Sequence, residues 1–292
     1  MSKVRFYIAM AAAKTAHRLL RLCGRAATHT PGAVATKLCP DFLRYLQKPE
    51  TLICVTGTDG KTTVSNLLAT VLQNNGYTVT NNSYGSNICE GVVSALLTDA
   101  TFSGKPKKQV GVLEVDERSS LKVYKYLTPD ILICNNIMRD SLKRNAHTEF
   151  ICYILNKQLP SSTKVVLNAD DLICSGLFPN NKDRTYFGVS ADRPENGAAT
   201  DEALRDIVYC PKCGAKLETE YVRYNHIGRH HCSSCGFASP KPDYDVTAIN
   251  REKGTFTVTH NGVDEEYKIV NDNIINIYNS CAVISVLHTF GL

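Results

Sequence analysis

Four cysteines and one lysine framed by glycine and threonine are the residues whose types and spacing point most directly to chemistry. Tyr209-Cys-Pro-Lys-Cys-Gly214 and His231-Cys-Ser-Ser-Cys-Gly236 are two Cys-x-x-Cys-Gly knuckles with 18 residues between the inner cysteines. Each knuckle turns two thiolates toward one ion, and its glycine permits the turn after the second sulfur. Cys210, Cys213, Cys232 and Cys235 would then close a tetrahedral Zn²⁺ shell with no position left for catalysis. Such a zinc is structural, and it would hold together an inserted lobe over 207–242 too small to bury much core of its own. Two disulfides or a redox pair are the competing readings of the same four thiols. His226, His230 and His231 lie nearby, and with four thiolates on the ion they read as surface residues.

The lysine sits in Thr51-Leu-Ile-Cys-Val-Thr-Gly-Thr-Asp-Gly-Lys-Thr-Thr63, which runs from an apolar strand through two glycines into a helix. In that context Gly57, Thr58, Asp59 and Gly60 can turn successive N–H groups inward at phosphate oxygens. Lys61 supplies a point charge at the β- and γ-phosphates, Thr62 can ligate Mg²⁺, and Thr63 continues the helix whose N-terminus faces the same anion. Val55 stands where the general phosphate-loop pattern has its first glycine. An ordinary strand-to-helix turn is the alternative. Glu114 closes the apolar run VGVLE, and a carboxylate at the carboxyl end of a strand beside a phosphate loop suits a hard cation bridging two phosphates. Asp116 and Glu117 are secondary candidates for that work, and a solvated strand-end acid is the alternative for Glu114.

The elements that must position these groups follow from periodicity. TLICV precedes KTTVSNLLATVLQNNG, YTVTN precedes a glycine-containing helix near 86–97, and QVGVLEV, DILICNN and KVVLNADD follow as further apolar runs. Alternation of this kind predicts βαβ units, hence an α/β fold with a mostly parallel sheet covered on both faces. Residues 190–206 are polar and read as a loop into the cysteine insertion. DYDVTAI, GTFTVTH and EEYKIV then read as small antiparallel strands, and 276–290 as a last helix. Residues 1–48 form a basic N-terminal segment expected to pack on the core, ahead of one domain over 49–292. Within that segment Ile8, Ala12, Leu19 and Leu22 share a helical face, with Lys14, Arg18 and Arg21 elsewhere. The pattern suits either packing on the protein's own core or contact with a membrane surface.

The chain has 292 residues, 43% of them hydrophobic and 21% charged, which excludes wholesale disorder. No apolar run approaches the roughly 18 to 20 residues of a membrane-spanning helix. Lys3, Arg5, Lys14, Arg18, Arg21, Arg25 and Lys37 precede the first acidic residue, Asp41, while the rest of the chain holds more acids than bases. The excess positive charge is therefore local, and nucleic-acid binding over the whole surface is not expected. The other eight cysteines are scattered among apolar or helical surroundings and read as buried free thiols. With no secretory signal, that usage predicts a reducing, cytoplasmic setting.

The run Thr56-Gly-Thr-Asp-Gly-Lys-Thr-Thr63 resembles the ATP loop of the Mur ligase family, the amide-forming ligases of peptidoglycan assembly. Glu114 stands where that family places a Mg²⁺-binding glutamate, Asn168-Ala-Asp-Asp171 resembles its N-A-D-D segment, and Asn276-Ile-Tyr-Asn279 its nucleotide-contacting N-x-x-N motif. The cysteine ribbon, Leu22-Cys-Gly-Arg-Ala-Ala-Thr28, Thr30-Pro-Gly32, Ala35-Thr-Lys-Leu-Cys-Pro40, Tyr84-Gly-Ser-Asn87 with Gly91, and Asn136-Ile-Met-Arg-Asp140 extend the likeness to a ribbon-bearing branch of the family. Two departures stand out: Ala26-Ala27 replaces a usual Gly-Gly, and Ser141 stands where many members carry a metal-binding histidine, so a second metal site is not implied.

The resemblance implies a Mur-ligase-type central ATP-binding domain with Lys61 and Glu114 catalytic, Thr62 and Glu114 on Mg²⁺, and Asn276 and Asn279 on the nucleotide. It further implies an ATP-dependent amide ligase subunit that activates the D-glutamate α-carboxylate of lipid II as an acyl-phosphate. A class I glutamine amidotransferase (GatD-like) partner would supply ammonia, in the cytoplasm or peripherally at the inner face of the membrane, and no nucleic acid is expected as a partner. Family members continue past the position of Leu292 into a C-terminal domain that closes over the nucleotide and docks the glutaminase, so a truncated form is expected. Two other readings stay open. One is a phosphate-loop NTPase whose ribbon reads nucleic acid through Tyr221, Arg223, Tyr224 and Arg229, and the other is a catalytically silent nucleotide-binding scaffold.

Overall fold

Short β-branched runs become strands and the amphipathic stretches between them become helices, in a computed structural model that describes residues 3–83, 86–139, 147–194 and 207–292. The readings placed on Tyr84, Gly85, Asp140 and Ser141, and on most of the 190–206 loop, lie outside the described residues. Backbone contacts group the chain into two compact units. One comprises Met1–Thr56, Lys61–Leu132 and Ile154–Thr163, and the other Gly57–Gly60, Ile133–Tyr153 and Lys164–Leu292. The 1–48 segment falls in the first and the 207–242 insertion in the second.

In the first unit β1 (Thr51–Thr56) pairs in parallel with β3 (Val110–Glu114), from Thr51 opposite Val110 to Val55 opposite Glu114. The short strand β2 (Val79–Asn81) runs parallel along the other edge of β3. Parallel neighbours need crossovers, and α3 (Lys61–Asn74) and α4 (Cys89–Thr98) supply them. α3 buries Val64, Leu68 and Leu72 at helical spacing, and every residue of β3 is buried, as expected of a strand covered on both faces. Helices α1 (Lys3–Leu22) and α2 (Thr30–Leu38) pack on each other and on α4. The single-turn α5 (Ser120–Val123) follows, and the wholly buried strand β4 (Ile131–Cys134) and α6 (Thr148–Gln158) each contribute residues to both units.

In the second unit β5 (Lys164–Asn168) and β6 (Arg184–Val189) are parallel, and β9 (Tyr244–Asn250) continues the ladder in parallel with β6. β10 (Thr255–His260) and β11 (Val263–Lys268) then run antiparallel, joined by an Asn261-Gly262 turn in which both residues have positive φ. α7 (Leu172–Ser175) follows β5, and α8 (Ile274–Leu287) lies against β5, β6 and β9. β7 (Glu218–Tyr224) and β8 (Ile227–His231) form a separate antiparallel hairpin inside the insertion.

Two expectations need correction. The face of α1 that carries Ile8, Leu19 and Leu22 is exposed, and the helix packs instead through Phe6, Ala9, Met10 and Ala13. Not all eight scattered cysteines are buried, because Cys23 is exposed just past the end of α1 and Cys152 is only half-buried on α6.

Candidate functional site

The phosphate-loop residues Gly57–Gly60 are fixed by a set of asparagines. Thr58 donates its N–H to the Asn136 carbonyl at 2.9 Å, and its hydroxyl both accepts from the Met138 N–H at 2.8 Å and donates to the Met138 carbonyl at 3.1 Å. Asp59 donates its N–H to Asn136 Oδ1 at 2.8 Å, while the side-chain amides of Asn135 and Asn136 both reach the Asp59 carbonyl at 3.3 Å. Glycine is required here on two counts. Gly57 and Gly60 have φ of 125° and 81°, and a Cβ on Gly60 would lie 2.3 Å from Asn279 Oδ1. Asn279, buried on α8, accepts from Asn135 Nδ2 at 3.4 Å and donates to Asn276 Oδ1 at 3.5 Å. The N-x-x-N residues and the glycine loop are thus neighbours in space, and Asn135 Oδ1 is buried with no hydrogen-bond partner among the described residues.

The residues that continue the loop carry the charges. Lys61 and Thr62 open α3, and Lys61 Nζ lies 3.2 Å from Glu117 Oε1. Thr62 donates its hydroxyl to Glu114 Oε2 at 2.7 Å, and Asn87 donates its amide to Glu114 Oε1 at 2.9 Å. Asn82 clamps the backbone of Glu114 from both sides, accepting its N–H and donating to its carbonyl. Glu114 and Glu117 are both buried. Burial pushes the Glu117 carboxyl above the usual carboxylate range, and the Lys61 ammonium offsets only part of that rise. Thr62 and Thr63 are both exposed on the first turn of α3, and of the two it is Thr62 that reaches Glu114. Asp116 spends its carboxylate on the N–H groups of Arg118 and Ser119.

The Asn168-Ala-Asp-Asp171 segment works as scaffolding in the second unit. Asn168 donates its amide to the Asn135 carbonyl at 3.0 Å, tying β5 to the residue that supports the glycine loop. Asp171 caps α7 through the Ile173 and Cys174 N–H groups, accepts the Ile137 N–H at 2.7 Å, and meets His226 Nε2 at 3.0 Å. Asp170 accepts the Tyr278 hydroxyl at 2.6 Å and the Val189 N–H at 3.0 Å, with Arg229 at 3.2 Å. Burial raises the Asp170 carboxyl in spite of these donors.

The four cysteines converge as their spacing predicts. Their sulfur atoms lie within 4.8 Å of one another, with Cys210 to Cys235 at 3.6 Å and Cys213 to Cys232 at 3.5 Å. A tetrahedron with Zn–S bonds of about 2.3 Å has edges of roughly 3.8 Å, so the donor set fits zinc. The knuckles repeat one hydrogen-bond pattern: the Gly214 N–H reaches the Cys210 carbonyl and the Gly236 N–H the Cys232 carbonyl, both at 2.9 Å, with positive φ at each glycine. Buried Cys210 and Cys232 pack with Leu217 against Leu172 of α7.

The histidines depart from expectation. His226 and His230 are buried, held by Asp171 and by Thr219 with the His226 carbonyl, while only His231 is partly exposed. The residues a nucleic-acid-reading ribbon would use are also turned inward. Tyr221 is buried with its hydroxyl on the Val189 carbonyl, Arg223 holds the carbonyls of Val189, Ala191 and Asp192, and Arg229 holds Asp170 and the Pro240 carbonyl. Tyr224 is half-buried, with its ring edge against Tyr278.

Sequence reasoning missed the site role of Asn135, ranked Glu117 second, and did not foresee the buried His226–Asp171 contact. The signal for Asn135 was the Asn-Asn pair that ends the apolar run DILICNN. Also in the first unit is a cavity of about 970 Å³, with Ile88, Cys89, Glu90 and three lysines, Lys37, Lys122 and Lys125, in its wall.

Comparison with known proteins gives concordant matches. A profile described as the Mur ligase middle domain matches residues 55–233. A Staphylococcus aureus (strain COL) protein named lipid II isoglutaminyl synthase (glutamine-hydrolyzing) subunit MurT is 32% identical over 291 residues, covering 99% of this chain and 64% of that protein. The like-named Streptococcus pneumoniae protein is 29% identical, covering 97% and 62%. The chain thus spans just under two thirds of the length of these relatives. Among solved structures, a pseudomurein peptide ligase type C from Methanothermus fervidus superposes with a TM-score of 0.65 at 25% identity, covering 86% of this chain and 48% of that one.

Proposed function

The chain belongs to the Mur ligase family, and from that premise we propose that it forms the ATP-binding part of a synthetase subunit that activates the D-glutamate α-carboxylate of lipid II for amidation. The observation that carries this reading is the Thr62–Glu114 pair. A strand-end carboxylate, buried and clamped by Asn82 and Asn87, bonds at 2.7 Å to the hydroxyl that follows the phosphate-loop lysine. That is the donor set a Mg²⁺ ion on nucleotide phosphates takes from a protein.

In the reaction, the N–H groups of Gly57–Gly60 and the start of α3 hold the phosphates, and Lys61 leaves Glu117 to neutralise charge on the phosphoryl in transfer. Thr62 and Glu114 would hold Mg²⁺, which would supply positive charge to offset that of the nucleotide phosphates. Asn276 and Asn279 contact the nucleotide, and Asn135 keeps Asn279 and the loop in register. A carboxylate oxygen of the acceptor attacks the γ-phosphorus and the bond to ADP breaks. Ammonia then displaces phosphate from the acyl-phosphate, forming the amide. The three lysines in the cavity wall outnumber its two acids, Asp41 and Glu90, and fit an anionic acceptor, and the same wall includes Ile88, next in sequence to the Asn87 that holds Glu114. Zinc on Cys210, Cys213, Cys232 and Cys235 would be structural, since four thiolates leave no open position. A GatD-like glutaminase supplies ammonia, and the lipid-linked acceptor places the work at the cytoplasmic face of the membrane.

The test supplies the chain, and a version extended by the remaining third of a MurT relative, with glutaminase, ATP, Mg²⁺, glutamine and lipid II. The extended form is expected to amidate, because a second domain is needed to exclude water from the acyl-phosphate. Mass spectrometry reads the result, since exchange of OH for NH₂ lowers the stem-peptide mass by about one dalton. ATP turnover without this mass change in the extended form would reject the assignment.

A further inference from the structure

Helix α1 is apolar on two opposite sides, and its packing uses only one of them. At about 100° per residue, Phe6, Ala9, Met10 and Ala13 form the buried side. Val4, Ile8, Ala11, Thr15, Leu19 and Leu22 fall within a stripe of about 80° on the other side, running about 27 Å along the axis. The stripe is in the open, with Val4 64%, Ile8 59%, Leu19 57% and Leu22 84% exposed, and Tyr7, 47% exposed, at its edge. A solvated helix face ordinarily carries polar residues, so this one lacks an occupant.

Charge identifies the occupant. Seven basic residues and no acidic one occupy positions 1–40. Two of them are anchored inward: Arg5 donates to the Leu38 carbonyl, and Lys14 to the carbonyls of Leu97 and Ala100. Arg18 and Arg21 are exposed on α1, Arg25 follows just beyond it, and no ion pair among the described residues engages these three. Asp99 faces α1 on its Lys14–His17–Arg21 side, away from the stripe, and an apolar stripe with an interfacial tyrosine, bordered by arginines on a helix that itself carries no carboxylate, is the pattern of a helix lying in the plane of an anionic bilayer surface. A protein partner would need a complementary acidic rim around an apolar groove. A second copy of this helix would bring like charges together.

We infer that the exposed face of α1 docks the chain on an anionic phospholipid surface, with Val4, Ile8, Leu19 and Leu22 entering the headgroup boundary and Arg18, Arg21 and Arg25 meeting lipid phosphates. This deepens, and rests on, the reading that the acceptor is lipid-linked, because it supplies the means of bringing the loop and Glu114 to a substrate held in the membrane. The other side of α1 stays on the protein, so docking needs no unfolding.

Co-sedimentation of the full chain with vesicles of phosphatidylglycerol and phosphatidylcholine, against pure phosphatidylcholine, tests the docking without lipid II or ATP. Wild type is expected to bind the anionic vesicles at least tenfold more tightly, with the advantage shrinking in high salt as screening predicts. Leu19→Glu with Leu22→Glu should lose binding at least tenfold, and Arg18→Glu with Arg21→Glu should erase the preference for anionic lipid. Both pairs are exposed, and Mg-ATP titration of each variant reports that the fold is kept. Equal binding to both vesicle types, or unchanged binding by the Leu19/Leu22 variant, would overturn the docking. A dimer seen by sedimentation equilibrium without vesicles and dissolved by Leu22→Glu would overturn it in favour of self-association. Any of these results leaves amidation by the extended form unaffected, and failure of amidation leaves vesicle binding to be scored by itself.

Discussion

The cysteine ribbon and the phosphate loop both present donors that an ion could take, and they gather those donors in opposite ways. The ribbon gathers its four donors from two knuckles within Cys210–Cys235, each closed by its own backbone hydrogen bonds and its own glycine. The loop and the residues that continue it draw partners from far along the chain: within the second unit Gly60 meets Asn279 and Asn168 supports Asn135, and within the first Thr62 meets Glu114 and Lys61 meets Glu117. A local site is stabilised mainly by its ion, whereas a distributed site is held by hydrogen bonds that exist before any ligand arrives. Removing the ion should therefore undo the first and spare the second.

The largest expected effect follows directly. Cys213→Ser or Cys232→Ser leaves three thiolates, and a structural zinc site typically contributes about 10–16 kcal/mol of apparent binding energy to the fold of a small module. Elemental analysis should find one zinc per wild-type chain and far less in the variants, and hydrogen exchange should show the 207–242 lobe opening. Mg-ATP affinity should change by less than about threefold, because no ribbon cysteine supports the loop and distant sites act additively. Zinc-free wild type with a protected lobe would break the contrast at its first term.

The loop answers to single side chains instead. Lys61→Ala removes a charge-assisted contact to phosphate worth about 1.5–3 kcal/mol, so Mg-ATP affinity should fall about 10- to 150-fold by calorimetry with the melting profile nearly unchanged. Unchanged affinity in a folded variant would remove the loop from nucleotide binding. Glu114→Gln is a finer cut, since it keeps the size and one oxygen to accept from Thr62 or Asn87 but loses the charge a hard cation prefers. The expected loss is about tenfold with Mg²⁺ and close to none without it. Equal losses in the two conditions would make Glu114 a structural partner of Asn87 and Thr62.

The same contrast between local and distributed explains what could be read ahead of the structure. The ribbon's sulfurs, the continuous apolar runs of the strands and the glycine-lysine turn are local patterns, and the structure brings each together as the sequence predicts. The facing of α1 is not legible because both of its sides are apolar, and distant partners, the Phe42 and Tyr45 rings together with α2 and α4, select Phe6 and Met10 over Ile8 and Leu19. His226 looked like a surface residue because its partner Asp171 is 55 positions away. Asn135 carries no motif of its own, and its role appears only where Asn279 and Asp59 arrive beside it. Glu117 ranked below Glu114 because strand-end position was the visible cue, whereas pairing with Lys61 depends on how the chain turns after β3.

Glu117 gives the smallest expected effect and the finest test of how the loop is held. Burial raises its folded-state pKa above the ordinary value of 4.5, with Lys61 opposing the rise. The folded chain therefore binds this proton more tightly than the unfolded chain. Stability contributed by the group is fully present below the unfolded pKa and declines as pH rises through the folded pKa, because the charge must then be kept in a buried place. Glu117→Gln abolishes that titration. The melting temperature of the variant minus that of wild type should become more positive between pH 4.5 and pH 7.5, by about 2 °C for a chain of this size. If the difference instead becomes more negative as pH rises, the Lys61–Glu117 pair outweighs the cost of burying the carboxylate. Lys61 would then be locked to Glu117 before nucleotide binds, and Glu117→Gln should raise Mg-ATP affinity by freeing it. The sign of one small thermal shift thus decides whether the loop's lysine is released to the phosphates at little cost or must be pulled from a partner.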